Sequence, residues 1–207
     1  MIIANIKWIF FDIGSTLVDE SVVYENRIEE ITRSNHIDKN EFVAKVMQRA
    51  HTNQKPIMSV VAEYGVKVPE WRHDLEALYP DAEELLQRLS QQYKIGIIAN
   101  QDFGTEQRLT DFDIRQYIDL VIASAEEGVA KPDLRIFQIA LDRANCKPEE
   151  AVMVGDRIDN DIIPANKIGM KTVWIRQGFG GLAQPQAAVE TPDYTIKNLS
   201  ELFEILE

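Results

Sequence analysis

Short apolar runs alternate with helical patterns along most of this chain, and this alternation restricts the folds that it can adopt. The runs are apolar almost throughout, as in strands that are covered on both faces. They fall at residues 6–11, 94–100, 119–124, 151–156 and 171–175. Strands of this kind need a layer of helices on each side.

Amphipathic helical patterns lie between these runs. Residues 81–92 and 136–141 carry apolar positions at helical spacing, Gly169 is placed to close a short helix, and residues 193–196 and 198–206 add one more strand and helix. Strands and helices that alternate in this order pack as a parallel sheet between helical layers. We therefore predict an α/β fold with a Rossmann-like parallel sheet flanked by helices.

One segment interrupts the alternation. Between residues 19 and 80 the patterns are helical, and no strand is expected there. Asp38 with Glu41 resembles a capping box, and Pro56 and Gly65 suit the two ends of a further helix. We predict an α/β core domain of residues 1–18 and 81–207, with a small all-α cap domain at residues 19–80.

Charge and composition exclude several classes of protein. The 207-residue chain has a formal net charge of −12, so it lacks the basic surplus needed to bind nucleic acid or an anionic membrane. Its single cysteine, Cys146, permits no internal disulfide and fits a reducing compartment. We predict a cytoplasmic protein whose phosphate-bearing ligand, if it has one, is held by a metal ion or a single lysine; the oligomeric state is left open.

Polar residues follow the predicted strands at the edge where ligands bind to open α/β sheets. They are Asp12, Asn100, Lys131, Asp156, Asp159 and Asp161. Several carboxylates at one edge would repel each other unless a cation joined them. An all-oxygen cluster of this kind suits Mg²⁺. Asp159 is expected to be solvated instead.

Four stretches resemble, in order, the motifs of the haloacid dehalogenase (HAD) superfamily. They read "FFDIGSTLV", "IGIIANQ", "EGVAKPDLRIFQIAL" and "VMVGDRIDNDIIPANKIGM". The helical insert after the first motif resembles the small helical cap of that superfamily. The resemblance implies a Mg²⁺-dependent phosphatase that acts on a small phosphorylated metabolite.

The resemblance also implies roles for particular residues. Asp12 would be the nucleophile that becomes an aspartyl-phosphate, and Lys131 would pair with it and with the transferring phosphoryl group. Asp12, the backbone carbonyl of Gly14, and Asp156 would hold Mg²⁺, with Asp161 as a further metal ligand or as an acid behind the ligands. The remaining implied phosphate-site residues are Thr16, whose hydroxyl would brace the loop, and Asn100, a hydrogen-bond donor to phosphate.

Two positions depart from the motifs of the superfamily. Gly14 stands where a second aspartate usually protonates the leaving group and later activates water. A general acid/base is worth about 10²–10⁴ in rate. Ala99 replaces a serine or threonine, which removes one neutral hydrogen bond worth on the order of 1 kcal/mol. The loss at position 14 is therefore the more serious one.

These departures leave other functions open. The chain could be a weakly active or inactive relative that binds a phosphometabolite or a protein, or it could be a dehalogenase or phosphonate hydrolase. Dehalogenation needs no metal, so the acidic fourth motif argues against it. Selectivity is expected to lie in the insert, where Arg49, Lys55 and Arg72 are candidates. The "GFGG" stretch at residues 178–181 is interpreted as flexible chain.

Overall fold

A computed structural model describes residues 3, 5–52 and 55–206 of the chain. The strands are β1 (Trp8–Phe11), β2 (Val18–Asp19), β3 (Ala77–Leu78), β4 (Lys94–Ala99), β5 (Leu120–Ala123), β6 (Ala151–Gly155), β7 (Lys171–Ile175) and β8 (Tyr194–Ile196). The α-helices are α1 (Ser21–Ser34), α2 (Lys39–His51), α3 (Pro56–Tyr64), α4 (Ala82–Leu89), α5 (Thr105–Asp111), α6 (Ser124–Glu127), α7 (Leu134–Ala144), α8 (Ile163–Ile168) and α9 (Phe203–Leu206).

Six of the strands form one parallel sheet in the order β5-β4-β1-β6-β7-β8. Alternate residues of β1 face opposite sides of this sheet. Ile9 and Phe11 pack in a core that includes the α4 side chains, whereas Phe10 packs in a second core that includes the α7 side chains. The predicted α/β fold is confirmed. Because all six strands are parallel, their carboxyl ends lie along one edge of the sheet.

Helices α1, α2 and α3 pack around a separate apolar cluster that includes Phe42 and Val60. Asp38 caps α2 by accepting a hydrogen bond from the Glu41 amide at 2.8 Å. The Glu41 carboxylate accepts a hydrogen bond from the Tyr64 hydroxyl instead of completing a capping box. Pro56 begins α3, and Gly65 ends it with a φ of 66°.

The expectation of a strand-free insert is wrong at its two ends. Val18 pairs with Leu78 and Asp19 with Ala77 in a two-stranded antiparallel ribbon between β2 and β3. Strands of two residues are too short for any hydrophobic period to reveal them. The ribbon connects the sheet domain with the helical insert, and the domain boundaries at 18/19 and 80/81 remain a prediction.

The stretch interpreted as flexible, residues 178–181, packs against both parts of the molecule. Gly181 is buried, and the Phe179 ring meets that of Tyr24 in α1 edge to face, with 5.1 Å between centroids. A local sequence pattern could not show this contact, because the two partners are far apart in the chain. Among the residues that the structure describes, no helix combines the length and apolar character needed to span a bilayer.

Candidate active site

Asp12 is the first residue after β1, the strand at the centre of the sheet. Its backbone amide continues the pairing of β1 with β6 by donating to the Val154 carbonyl at 2.9 Å. Its carboxylate oxygen Oδ1 accepts the Ile13 amide at 2.8 Å, which fixes the side chain. Only 9% of the residue is exposed. A buried strand therefore carries this carboxylate to its end and holds it partly open to solvent.

Lys131 lies beside Asp12 and is almost fully buried, with 3% exposure. Its ammonium nitrogen Nζ is 2.9 Å from Asp12 Oδ1 and 2.6 Å from Asp161 Oδ1. Burial acts to lower the pKa of Lys131, but the two carboxylates outweigh it and raise the pKa above its ordinary value. Lys131 is therefore a fixed cation.

Asp161 comes from a single π-helical turn, Ile158–Ile162, that follows β6. Its other oxygen, Oδ2, accepts the backbone amide of Arg157 at 2.9 Å, so both carboxylate oxygens have partners. A Cβ added at Gly155 would lie 2.3 Å from Oδ2. The glycine at the end of β6 therefore leaves the space that this carboxylate occupies.

Asp156 follows β6 directly, and its backbone carbonyl accepts the Trp174 indole N–H at 2.7 Å. Burial raises the pKa of Asp156 well above its ordinary value, and the nearby Asp161 and Asp12 raise it further. Burial is also the main cause that raises the pKa of Asp161 to about 7, against the opposing effect of Lys131. Without a further cation, Asp156 and Asp161 therefore hold their protons more strongly than exposed carboxylic acids do.

The three acids suit a divalent cation. One oxygen from each of Asp12, Asp156 and Asp161 lies within 4.8 Å of the others, and all three residues are buried. Lys131 offsets one of their three charges. Carboxylate oxygens are ligands that Mg²⁺ prefers. The donors and the excess negative charge fit such an ion.

Two predicted phosphate-site residues have different surroundings from those expected. The Thr16 hydroxyl is buried and has no hydrogen-bond partner among the described residues, so its predicted role in bracing the loop remains a prediction. Backbone hydrogen bonds to the Ile13 carbonyl, from Leu17 and Val18 at 2.9 Å each, hold the loop. The Asn100 side chain accepts the Lys131 amide at 2.7 Å and donates to the Lys131 carbonyl at 2.9 Å. Asn100 therefore positions Lys131.

Glu20 was not among the predicted site residues. It lies between β2 and α1, is 9% exposed, and accepts a hydrogen bond from the Ser15 hydroxyl at 3.0 Å. Burial is the main cause that raises the pKa of Glu20 to about 7. A Cβ added at Gly14 would lie 2.4 Å from Glu20 Oε1. The only sequence signal was an acid shortly after the departure at position 14.

Two adjoining cavities, of about 400 and about 560 Å³, lie against these groups. Trp71 and Asn100 line both cavities, Asp156 lines the smaller and Glu20 the larger. The smaller cavity is also lined by Lys55. The other two cations proposed for selectivity, Arg49 and Arg72, form ion pairs with Glu63 and Asp74.

The parallel-sheet core, the helical insert and the buried acids at the strand ends match the arrangement that the four sequence motifs implied. The chain belongs to the haloacid dehalogenase-like hydrolases, whose family model matches residues 1–175. The predicted superfamily is thereby confirmed.

Named relatives agree with this assignment. The chain is 32% identical to the glyceraldehyde 3-phosphate phosphatase of Pyrococcus furiosus over 98% of its own length and 94% of that protein. The HAD phosphatase of Thermococcus onnurineus has a similar structure, with a TM-score of 0.66, 24% identity and coverage of 96% of this chain and 97% of that one. The 2-haloacid dehalogenase of Pseudomonas syringae has a TM-score of 0.62, 23% identity and coverage of 96% and 97%. Since phosphatase and dehalogenase share this fold, the fold alone does not choose between the two chemistries.

Proposed function

We propose that this protein is a Mg²⁺-dependent phosphomonoester hydrolase that acts on a small phosphorylated metabolite through an aspartyl-phosphate intermediate. The observation that carries the proposal is the pair of Asp12 and Lys131, 2.9 Å apart at the end of β1. This pair supplies a nucleophilic carboxylate and a fixed cation at one point. A phosphate monoester needs both, because its phosphoryl oxygens repel an anionic nucleophile.

Each residue of the site has a separate role in the reaction. Asp12 attacks phosphorus while Lys131 offsets the charge of the phosphoryl oxygens. Asp161 holds the Lys131 ammonium at 2.6 Å and keeps it directed at the reacting atoms. The paired backbone contacts of Asn100 fix the same lysine from behind. Each group is held before substrate arrives, which reduces the reorganisation needed during the reaction.

Asp12, Asp156 and the backbone carbonyl of Gly14 would hold Mg²⁺. Asp161, whose oxygens are both engaged, would stand behind these ligands and orient Lys131. When bound, Mg²⁺ would act as a Lewis acid that reduces the negative charge met by the nucleophile.

The class of substrate is supported by the relatives. The Pyrococcus furiosus protein named above is a glyceraldehyde 3-phosphate phosphatase, and its similarity covers nearly the whole of both chains. A phosphorylated metabolite of this size suits the cavity of about 400 Å³ beside Asp156. We therefore place the substrate among small phosphorylated metabolites.

Binding without catalysis is the second candidate. Gly14 and Ala99 remove two groups that active members of the superfamily use, and this favours a protein that holds a phosphometabolite without cleaving it. Dehalogenation is disfavoured, because a reaction that needs no metal gives no reason to bury three carboxylates within 4.8 Å of each other.

The first prediction concerns catalysis itself. With Mg²⁺ present, the protein should release phosphate from p-nitrophenyl phosphate and from glyceraldehyde 3-phosphate, and a chelator should stop both reactions. The measurement is a phosphate-release assay on metal-free protein, with Mg²⁺ or a chelator added. Stoichiometric binding of glyceraldehyde 3-phosphate without release of phosphate would favour the binding protein instead.

The second prediction concerns metal and stability. Mg²⁺ should raise the melting temperature, because it binds the folded acids and not the unfolded chain; at one hundred times its Kd the gain is about 2.7 kcal/mol. The Asp156→Asn variant should lose this shift. The raised pKa values of Asp156 and Asp161 mean that protons compete with the metal, so the shift should grow as pH rises through about 7. An Asp159→Asn control, in which an acid of the same segment is changed, should keep the full shift.

A further inference from the structure

The space beside Gly14 is filled by a carboxylate from elsewhere in the chain. A Cβ at this position would lie 2.4 Å from Oε1 of Glu20 and 2.8 Å from its carboxyl carbon. The φ angle of Gly14 is not in the left-handed region, so the backbone there does not itself require glycine. The carboxyl group of Glu20 occupies the volume that a side chain at position 14 would enter, so such a side chain would force that carboxyl group to shift.

Glu20 is held there by its surroundings. The β2–β3 ribbon sets the end of the loop, and α1 begins immediately after Glu20. The Ser15 hydroxyl donates to Glu20 Oε2 at 3.0 Å, in a buried hydrogen bond. The residue also lines the larger cavity, together with Asn100 and Trp71. The carboxyl group is thus fixed in position while it remains open to a ligand.

We propose that Glu20 is the proton-transfer residue of the reaction. Its carboxyl group would protonate the leaving group and then activate water, as a second aspartate at position 14 would do. This inference rests on the phosphatase function proposed above. It places the leaving group of the substrate where the larger cavity, lined by Glu20, meets the smaller cavity, lined by Asp156; Trp71 and Asn100 line both.

The proposed steps balance as follows. An oxygen of Asp12 bonds to phosphorus, the bond from phosphorus to the leaving oxygen breaks, and that oxygen takes the proton of the Glu20 carboxyl. The Glu20 carboxylate then takes a proton from water, the water oxygen attacks phosphorus, and the bond from phosphorus to Asp12 breaks. Phosphate leaves, and both side chains return to their starting protonation.

Other nearby groups are already engaged. Asp19 Oδ1 accepts the Ser21 amide at 2.8 Å. The Ser15 hydroxyl donates a hydrogen bond to Glu20. Asp161 is paired with Lys131. Of these candidates, Glu20 alone fills the volume of a side chain at position 14.

The test separates the two chemical steps with two substrates. In Glu20→Gln, the single-turnover rate of phosphoenzyme formation from glycerol 3-phosphate should fall about 10²–10⁴-fold, because the alkoxide needs a proton. Formation from p-nitrophenyl phosphate should be nearly unchanged, because that leaving group hardly needs one. The phosphoenzyme should then accumulate, since water is no longer activated. Intact-mass spectrometry after an acid quench detects this species, and a burst of nitrophenolate accompanies it.

Two further variants keep the test decisive. Glu30→Gln changes an exposed glutamate of α1, the helix that follows Glu20, and should behave like the unmutated protein. The double variant Gly14→Asp/Glu20→Ser moves the carboxylate from position 20 to position 14 and should recover turnover on glycerol 3-phosphate relative to Glu20→Gln. Gly14→Asp alone should not raise turnover above that of the unmutated protein, because the new side chain would meet the Glu20 carboxylate.

The outcomes are distinct. If the unmutated protein with Mg²⁺ neither forms phosphoenzyme nor releases phosphate from either substrate, the proposed function fails and the inference fails with it. If the unmutated protein is active and Glu20→Gln keeps its rate on glycerol 3-phosphate, the inference is overturned while the phosphatase stands. An equal loss on both substrates, with no accumulation of phosphoenzyme, would also overturn it, since that pattern indicates general damage to the site.

Discussion

Replacing Asp12 with asparagine should reduce phosphatase turnover by at least about 10⁴-fold, the scale on which the loss of a covalent nucleophile acts. The amide cannot form the bond to phosphorus, yet it has nearly the size of the carboxylate and can still accept the Ile13 amide. The fold should therefore persist. Steady-state hydrolysis of p-nitrophenyl phosphate and the melting temperature, measured on one preparation, check both parts.

A matched control lies seven residues further along, at the end of β2. The Asp19 carboxylate accepts the Ser21 amide at 2.8 Å, and the side-chain oxygen of asparagine can accept the same hydrogen bond. Asp19→Asn should therefore keep both stability and turnover. If Asp12→Asn retained turnover near that of the unmutated protein, the measured hydrolysis would belong to another site or to a contaminant.

The position of the acidic site was predictable from the sequence because it depends on topology. Parallel strands bring their carboxyl ends to one edge, so Asp12 after β1 and Asp156 after β6 had to become neighbours once both runs were interpreted as strands of one sheet. The same topology predicted that the acids at this edge would outnumber the single lysine, Lys131. Their catalytic and metal roles remain predictions.

Side-chain direction was not predictable from the sequence. The Thr16 hydroxyl, expected to brace the loop, is buried without a partner among the described residues, while the Asn100 amide is used on the Lys131 backbone. Such outcomes depend on where a neighbouring loop passes, and no periodicity of the chain records this. The β2–β3 ribbon and the packing of Phe179 on the insert were missed for the same reason.

Two glycines of the site share one arrangement. Gly14 leaves room for Glu20, and Gly155 leaves room for Asp161; in each case the acid lies six residues later, and the missing Cβ would come within 2.4 Å and 2.3 Å of the carboxylate. Each loop after a strand therefore folds back to place an acid beside the strand end. Gly14 therefore does not leave the site without an acid at this point, because the carboxyl group of Glu20 lies beside it.

The second large effect is expected at Lys131. In the presence of a chelator, Lys131→Met should destabilise the protein by about 3–5 kcal/mol, because it leaves Asp12 and Asp161 buried beside each other without a cation. For a chain of this length, this corresponds to a fall in melting temperature on the order of 10 °C. Thermal unfolding of the metal-free proteins measures it. An exposed lysine changed in the same way, Lys167→Met, should cost little.

The dependence of this stability loss on pH and on Mg²⁺ distinguishes the loss of the Lys131 charge from the loss of its packing. Removing the cation removes the effect that lowers the pKa of Asp161, so the folded state holds a proton that the unfolded chain releases, and stability is lost as pH rises through that pKa. The deficit of Lys131→Met should therefore be smaller near pH 5 than near pH 8. Mg²⁺ should restore part of it, and adding Asp161→Asn, which removes one orphaned charge, should restore part without metal. A deficit independent of pH, Mg²⁺ and Asp161 would show that the aliphatic stem of Lys131, and not its charge, holds the site together.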